Sequence, residues 1–159
     1  MEIYLFSKAE NGVNTNTSGD TGNPQFGIRT QYVKQLNFEN LHVPDVSISD
    51  TDPTNTDVKI DIEVNPIGAD SYEISLRIIA DSRLDDGLLY HLDLTYAAVF
   101  GISGIPKESM QALLLIECPK TILPFARQIV FETTRESGHA PLMLGPIDFL
   151  AHFLERQKA

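Results

Sequence analysis

The chain has 159 residues, 42% hydrophobic and 8% aromatic, with 22 acidic against 12 basic side chains for a formal charge of −10. That length suits one domain, which buries about 68–70% of its unfolded surface, and the apolar content excludes a wholly disordered chain. The acidity repels nucleic-acid phosphates and anionic membrane surfaces; it either attracts basic partners or serves solubility alone.

The elements follow in chain order. Ala9–Gln25 is rich in Asn, Thr, Gly and Ser, so residues 1–25 read as a flexible N-terminal arm and 26–159 as the folded domain. Ile3–Phe6 either docks somewhere or has no role. Met1–Phe6 also lacks the basic-then-apolar layout of a secretory signal. Phe26, Ile28, Tyr32, Leu36 and Phe38 share one parity, against Arg29, Gln31, Gln35, Asn37 and Glu39, which predicts a half-buried strand. Lys34 interrupts that parity beside Val33 and suggests a bulge. Asn40–Asp57 reads as an acidic connection holding Pro44 and Pro53.

Val58, Ile60, Ile62 and Val64 alternate with Lys59, Asp61 and Glu63 as a second strand, closed by turn chemistry at Asn65–Asp70. Tyr72, Ile74, Leu76 and Ile78 mark a third. Asp85-Asp86-Gly87 is a hairpin signal, because Asp and Gly tolerate positive φ. The fourth strand carries apolar side chains at even positions from Leu88 to Phe100, with His91, Asp93 and Thr95 on its wet side. Asp93 and the Gly101–Gly104 turn keep the longest apolar run short of bilayer length. Pro106 can open a helix, and Ala112–Ile116 reads as buried between layers. Pro119 suits the first turn of the main helix, with Pro124 within that turn or so. Phe125, Ile129, Leu123, Ala126 and Val130 are its expected buried stripe, and Arg127, Gln128, Glu132, Thr133, Thr134 and Arg135 its outer side. Gly138 ends it in a left-handed cap. After an apolar loop, Pro141–Pro146, the positions Ile147, Leu150, Ala151 and Leu154 predict a last helix whose Arg156 and Lys158 suit its C-terminal dipole.

The expected fold class is α+β: a four-stranded antiparallel sheet with two C-terminal helices packed on one face. No phosphate loop, Cys-x-x-Cys pair or His-Glu-x-x-His is present, and Ser103 lacks nucleophile-elbow spacing. His42, His91, His139 and His152 are scattered and read as surface or packing residues, not metal ligands. Cys118 cannot close an internal disulfide and reads as a buried, inert thiol. Asp45, Asp50, Asp52 and Asp57 lack the alternation and terminal Glu of a calcium loop. No catalytic residue, cofactor or metal is expected, and the cytoplasm is the expected location.

Several blocks together resemble the SecB family of bacterial protein-export chaperones. They are Gln31-Tyr32-Val33-Lys34 with Phe38-Glu39, Tyr96-Ala97-Ala98-Val99-Phe100, Cys118-Pro119, Pro124-Phe125-Ala126-Arg127, and Pro141 through Phe149, in a match running from about Phe26 to Phe153. The resemblance implies an ATP-independent holdase that keeps unfolded precursor proteins export-competent and passes them to the translocation ATPase SecA. It also implies a homotetramer built as a dimer of dimers. Client chains would lie in grooves walled by Phe38, Leu142, Met143, Leu144, Ile147 and Phe149, and apolar contact suits that role because it is indifferent to client sequence. SecA docking would fall on the wet sheet face at Glu39, His91 and Asp93. Gln35 stands where the family commonly has Asp, and His91 where Leu is common, which weakens the SecA implication. A SecB-like chaperone of a toxin–antitoxin pair, with an antitoxin as client, is the alternative within the fold. A small-molecule or enzymatic domain, with a closed polar pocket, is the alternative outside it.

Overall fold

The computed structural model describes residues 23–41, 43–44, 55–85 and 87–159. Four strands, β1 (Gln25–Asn40), β2 (Asn55–Gly68), β3 (Ser71–Leu84) and β4 (Gly87–Ser103), form an antiparallel sheet in the order β1-β4-β3-β2. The last three strands are a meander, and β1 lies beside β4 at the opposite end from β2. Residues 1–22, His42, 45–54 and Asp86 lie outside the described set, so the arm and most of the acidic connection are not placed.

Period-two patterning sets the two faces. Ile74, Leu76, Ile78 and Ala80 of β3 and Leu92, Leu94, Ala98 and Phe100 of β4 are fully buried beneath the helices. Fully burying each such Leu, Ile or Phe contributes about 1.5–3 kcal/mol, so this double row is the anchor of the fold. Asp85 takes positive φ (51°) in the turn between β3 and β4, as the Asp-Asp-Gly signal requires. Beyond the Asn65–Asp70 turn signal, the β2–β3 ladder persists to Gly68 past an irregularity at Pro66, a residue tolerated because β2 is an edge strand.

β1 carries two register shifts, one between Ile28 and Thr30 and one between Val33 and Gln35. The second matches the bulge expected at Lys34. Together they invert the parity of the residues between them. Gln31 and Val33 pair with Ala98 and Tyr96 on the helix side, while Tyr32 pairs with Ala97 on the outer side. Tyr32 therefore leaves the buried row to which simple alternation assigns it.

The helical layer departs from expectation at its prolines. Helix α1 (Lys107–Ala112), a π-helical turn (Leu113–Glu117) and α2 (Cys118–Glu136) run on without a break, since Ala112, Glu117 and Cys118 all keep right-handed helical angles. Pro119 is thus inside a continuous helix rather than at its start, and Pro124 is deeper still. The widened π turn just before Pro119 relieves the clash that a proline ring makes with the preceding turn. Thr121 Oγ1 donates to the Glu117 carbonyl at 2.7 Å, taking up one of the carbonyls at that join.

The buried stripe of α2 keeps Leu123, Ala126 and Val130 of the expected set but not Phe125. Ile122, Leu123, Ala126, Val130 and Thr134 face the sheet, whereas Phe125 is 45% exposed. Gly138, at φ 83°, stops the helix in the left-handed conformation. Helix α3 (Phe149–Lys158) starts one residue after Asp148, whose carboxylate accepts the Ala151 N–H at 2.9 Å. Its inward face is Phe149, His152, Phe153 and Arg156; Leu150 and Leu154 face outward, and Ile147 packs on the core from the loop before it.

Candidate functional site on two faces of the sheet

On the outer face, cross-strand registers assemble polar side chains into rows. Glu39 pairs with His91, His91 with Asp81, and Asp81 with Asp57; the next row runs Asn37, Asp93, Ile79, Lys59. The sheet thereby brings Glu39, His91 and Asp93 together in adjacent rows. Their environments differ. Arg77 grips both oxygens of Asp93, with Nε to Oδ1 at 3.0 Å and Nη2 to Oδ2 at 2.6 Å. That fork is the main reason the Asp93 carboxyl titrates below its ordinary range. Asp93 is also largely buried, so its charge is mostly spent inside the sheet. Glu39 is exposed. His91 Nδ1 lies 2.6 Å from Asp81 Oδ1, so this ring is held by a carboxylate.

Further along this face, Tyr32 Oη donates to Glu73 Oε2 and Lys34 Nζ donates to Glu73 Oε1 at 2.7 Å. Lys34 first, then Tyr32, lowers the Glu73 carboxyl, and the Tyr32 phenol is pushed up to about 12 by the same bond and by burial. Tyr32 reaches Glu73 because the two β1 bulges together turn it outward.

The helix side is apolar and partly open. The loop 139–148 hangs from two polar pins. The buried Thr134 hydroxyl donates to the Val130 carbonyl at 2.9 Å and accepts the Leu142 N–H at 2.8 Å. At the other pin, Asn40 Nδ2 donates to the Ser137 carbonyl (2.9 Å) and Asn40 Oδ1 accepts from His139 Nε2 (2.8 Å). The His139 ring lies 5.0 Å from that of Tyr90, which lies 5.4 Å from Phe38, an aromatic file across the sheet end. Burial lowers the His139 pKa.

The six groove candidates divide. Leu144 and Phe149 are buried in the core, and Phe38, Leu142 and Ile147 pack against it half-buried. Met143 is 77% exposed beside a cleft of about 320 Å³ lined by Pro124, Arg127, Gln128, Phe131 and Glu132. Thr133 is half-buried, but Thr134, expected on the outer side of α2, is sealed inside. Sequence reasoning missed Val33, Leu36 and Phe125, which form an open apolar strip. Val33 and Leu36 lie over Tyr96 and Leu94 on the helix side, Phe125 stacks on Tyr96 at 6.4 Å, and all three are exposed. The bulge hid Val33, and helical spacing, which puts Phe125 in the buried stripe, hid Phe125.

Burial pushes the Cys118 thiol up to about 12, so it is protonated at neutral pH and a poor nucleophile. Among the described residues no group of three His, Cys, Asp or Glu side chains is placed to hold a metal ion. No helix among them is long and apolar enough to cross a membrane.

A sheet with a polar outer face, an open apolar strip under its helices and a pinned apolar loop defines a polypeptide-binding scaffold of the chaperone type. A family model described as preprotein translocase subunit SecB matches residues 19–159. The protein-export protein SecB of Parvibaculum lavamentivorans is 36% identical over 155 residues, covering 94% of this chain and 92% of its own. That of Xanthobacter autotrophicus is 38% identical over 148 residues, covering 91% and 94%. The chain belongs to the SecB family of protein-export chaperones. Among solved structures, a Mycobacterium tuberculosis SecB-like chaperone in complex with a ChAD peptide from the HigA1 antitoxin superposes with a TM-score of 0.65. It covers 77% of this chain and 91% of that one at 15% identity, a likeness of fold.

Proposed function

We propose that the protein is an ATP-independent holdase of the cytoplasm that binds unfolded precursor proteins through its helix-side apolar surface and delivers them to SecA. The observation that carries this reading is the exposed strip of Val33, Leu36 and Phe125, with Met143 presented beyond it by the pinned loop. Apolar contacts without shaped polar pockets suit many unrelated clients, and several weak subsites along one chain sum to useful affinity. The same strip suits subunit contact, and assembly as a dimer of dimers would join such strips into longer grooves.

SecA docking belongs to the outer face in this proposal. Glu39 and the His91–Asp81–Asp57 row offer more available charge to a basic surface than Asp93, which Arg77 neutralises. A chaperone dedicated to an antitoxin remains the second reading. It is supported by fold likeness at 15% identity, against export-chaperone relatives at 36–38%.

The test is suppression of aggregation of a slowly folding precursor. Wild type should suppress it without nucleotide, and a Val33→Asp, Met143→Asp variant with unchanged circular dichroism should lose most of that capacity. A wild type that fails to suppress aggregation sinks the holdase reading. An equally active folded variant removes these side chains from the client surface. Holding an antitoxin but no precursor would favour the second reading.

A further inference from the structure

In the loop between α2 and α3 the side chains of Leu142, Met143 and Leu144 alternate as in an extended chain. Leu142 and Leu144 turn inward, and the Leu142 N–H is fixed on the buried Thr134 hydroxyl, so Met143 is held out to solvent between them. Met143 lines its cleft of about 320 Å³ together with Arg127 and Gln128 of α2. Among the described residues the Arg127 guanidinium has one acceptor, the Gly145 carbonyl at 3.2 Å from Nη2, and its Nε, sealed from solvent, has none. Glu132, the carboxylate lining the same cleft, is taken by Arg135 at 2.6 Å. A weak acceptor, the Met143 thioether, therefore shares a cleft with hydrogen-bond donors in surplus.

We propose that Met143 is a site of reversible oxidation that switches the client surface: a peroxide converts its thioether to the sulfoxide, and Arg127 takes up the sulfoxide oxygen in the cleft. In the forward step the sulfur lone pair attacks one peroxide oxygen, and the S–O bond forms as the O–O bond breaks. The second oxygen takes the proton of the first and leaves as water. Sulfur loses two electrons and the peroxide gains them. The reverse step needs a methionine sulfoxide reductase supplied with a thiol reductant: the oxygen leaves as water and two thiols become a disulfide. The inference rests on the polypeptide-binding reading above and adds a means of regulating it.

Selectivity follows from burial. Met143 is exposed, whereas Met110 of α1 is half-buried against the core. Cys118, which as a thiolate would react before any thioether, is wholly buried, and its thiol is pushed up to about 12. A peroxide arriving from solvent therefore meets the Met143 sulfur ahead of the other sulfurs among the described residues. Oxidation turns a flexible apolar side chain into a polar one. A client loses apolar contact there, and the loop acquires an acceptor for Arg127. Client affinity and loop stability thus move in opposite directions, which oxidative damage to packing would not produce.

The experiment treats the full-length protein with hydrogen peroxide and locates the added oxygen by peptide mass. Met143 should be oxidised well before Met110. Binding of labelled lysozyme, reduced and carboxymethylated so that it stays unfolded, should then weaken about tenfold by fluorescence anisotropy, as the loss of one buried apolar side chain implies. The reductase with dithiothreitol should restore it. Met143→Gln, an uncharged acceptor of similar length, should bind like the oxidised protein without oxidant, and Met143→Leu should bind like the unoxidised protein before and after peroxide. Amide exchange over Leu142–Gly145 should slow on oxidation of wild type and not of Arg127→Leu; if that variant folds poorly, the same slowing in Met143→Gln decides the point. Oxidation of Met110 at an equal rate, unchanged binding by the oxidised protein, or equal sensitivity of Met143→Leu overturns the redox site. Oxidation without slower exchange overturns the capture by Arg127. Mass and exchange are read without a client, so they judge the redox site even where the unoxidised protein binds no unfolded lysozyme and holds no precursor, a result that sinks the chaperone reading.

Discussion

Thr134 joins helix to loop through one hydroxyl. It is 0% exposed, and its Oγ1 satisfies the Leu142 N–H as well as its own helix carbonyls. Thr134→Val keeps the shape and removes the acceptor, leaving a buried N–H unpaired at a cost of about 1–3 kcal/mol. Thermal unfolding should fall by several degrees, and Leu142 amide exchange should rise more than that of the Val130 turn. Acid should act in two stages, through His139 first and then through Asp93 and Glu73. His139 has its pKa lowered by burial, so the unfolded chain takes up a proton first; the stability from the neutral ring is full above about 6.5 and is lost as pH falls below that value. Asp93 and Glu73 have lowered pKa values for reasons of hydrogen bonding, so their contribution is full above the ordinary carboxylate range and fades below it. The urea midpoint should decline in two stages on acidification, and His139→Gln should remove the earlier one.

Elements with regular patterning were legible in the sequence, and those with inserted irregularity were not. The alternations of β2, β3 and β4 placed Ile62, Ile74 and Leu94 on the core face where they are found. The Asp85 turn and the Gly138 stop also follow from backbone chemistry that a sequence displays directly. In β1 the bulge at Lys34 was visible as broken parity, but the one at Arg29 was not, and only both together put Tyr32 outside and Val33 inside. Pro119 and Pro124 pointed to a helix start because proline usually marks one. The π turn before Pro119 has no comparable signature, and the buried stripe gains Ile122 and Thr134 and loses Phe125 while Leu123, Ala126 and Val130 stay as expected. The candidate site shows the same division. The apolar loop 141–147 announced itself by composition, whereas the pin at Asn40 depends on partners 97 and 99 residues away in sequence, and the pin at Thr134, only eight residues from Leu142, depends on which helix face is buried.

At the scale of the whole molecule, charge and apolar surface are segregated to opposite sides of one sheet. A chain of net charge −10 attracts basic surfaces from a distance, and its outer rows set where they settle. Association with a basic partner should therefore slow as salt rises past the physiological range, where the screening length is about 8 Å. Glu39→Lys should slow it more than Asp93→Asn, because Asp93 is already paired with Arg77. Stopped-flow rates across a salt series check both points, and equal effects of the two substitutions would remove the distinction drawn between them. Client binding on the helix side should respond far less to salt, since burying apolar surface carries no net charge.

The two bulges of β1 also bear on how such a chain can change length. Arg29 and Lys34 have no partner residue in β4, so each is an extra link in a ladder whose other members stay in step. Losing either one shortens β1 while every remaining side chain keeps its own face, at the expense of the Arg29–Ser71 or Lys34–Glu73 contact. Losing Gln31 instead would carry all the residues on one side of it across the sheet, apolar to water and polar to core. Lineages descended from a chain like this one should shed or gain residues in β1 at those two positions and keep the count fixed between them.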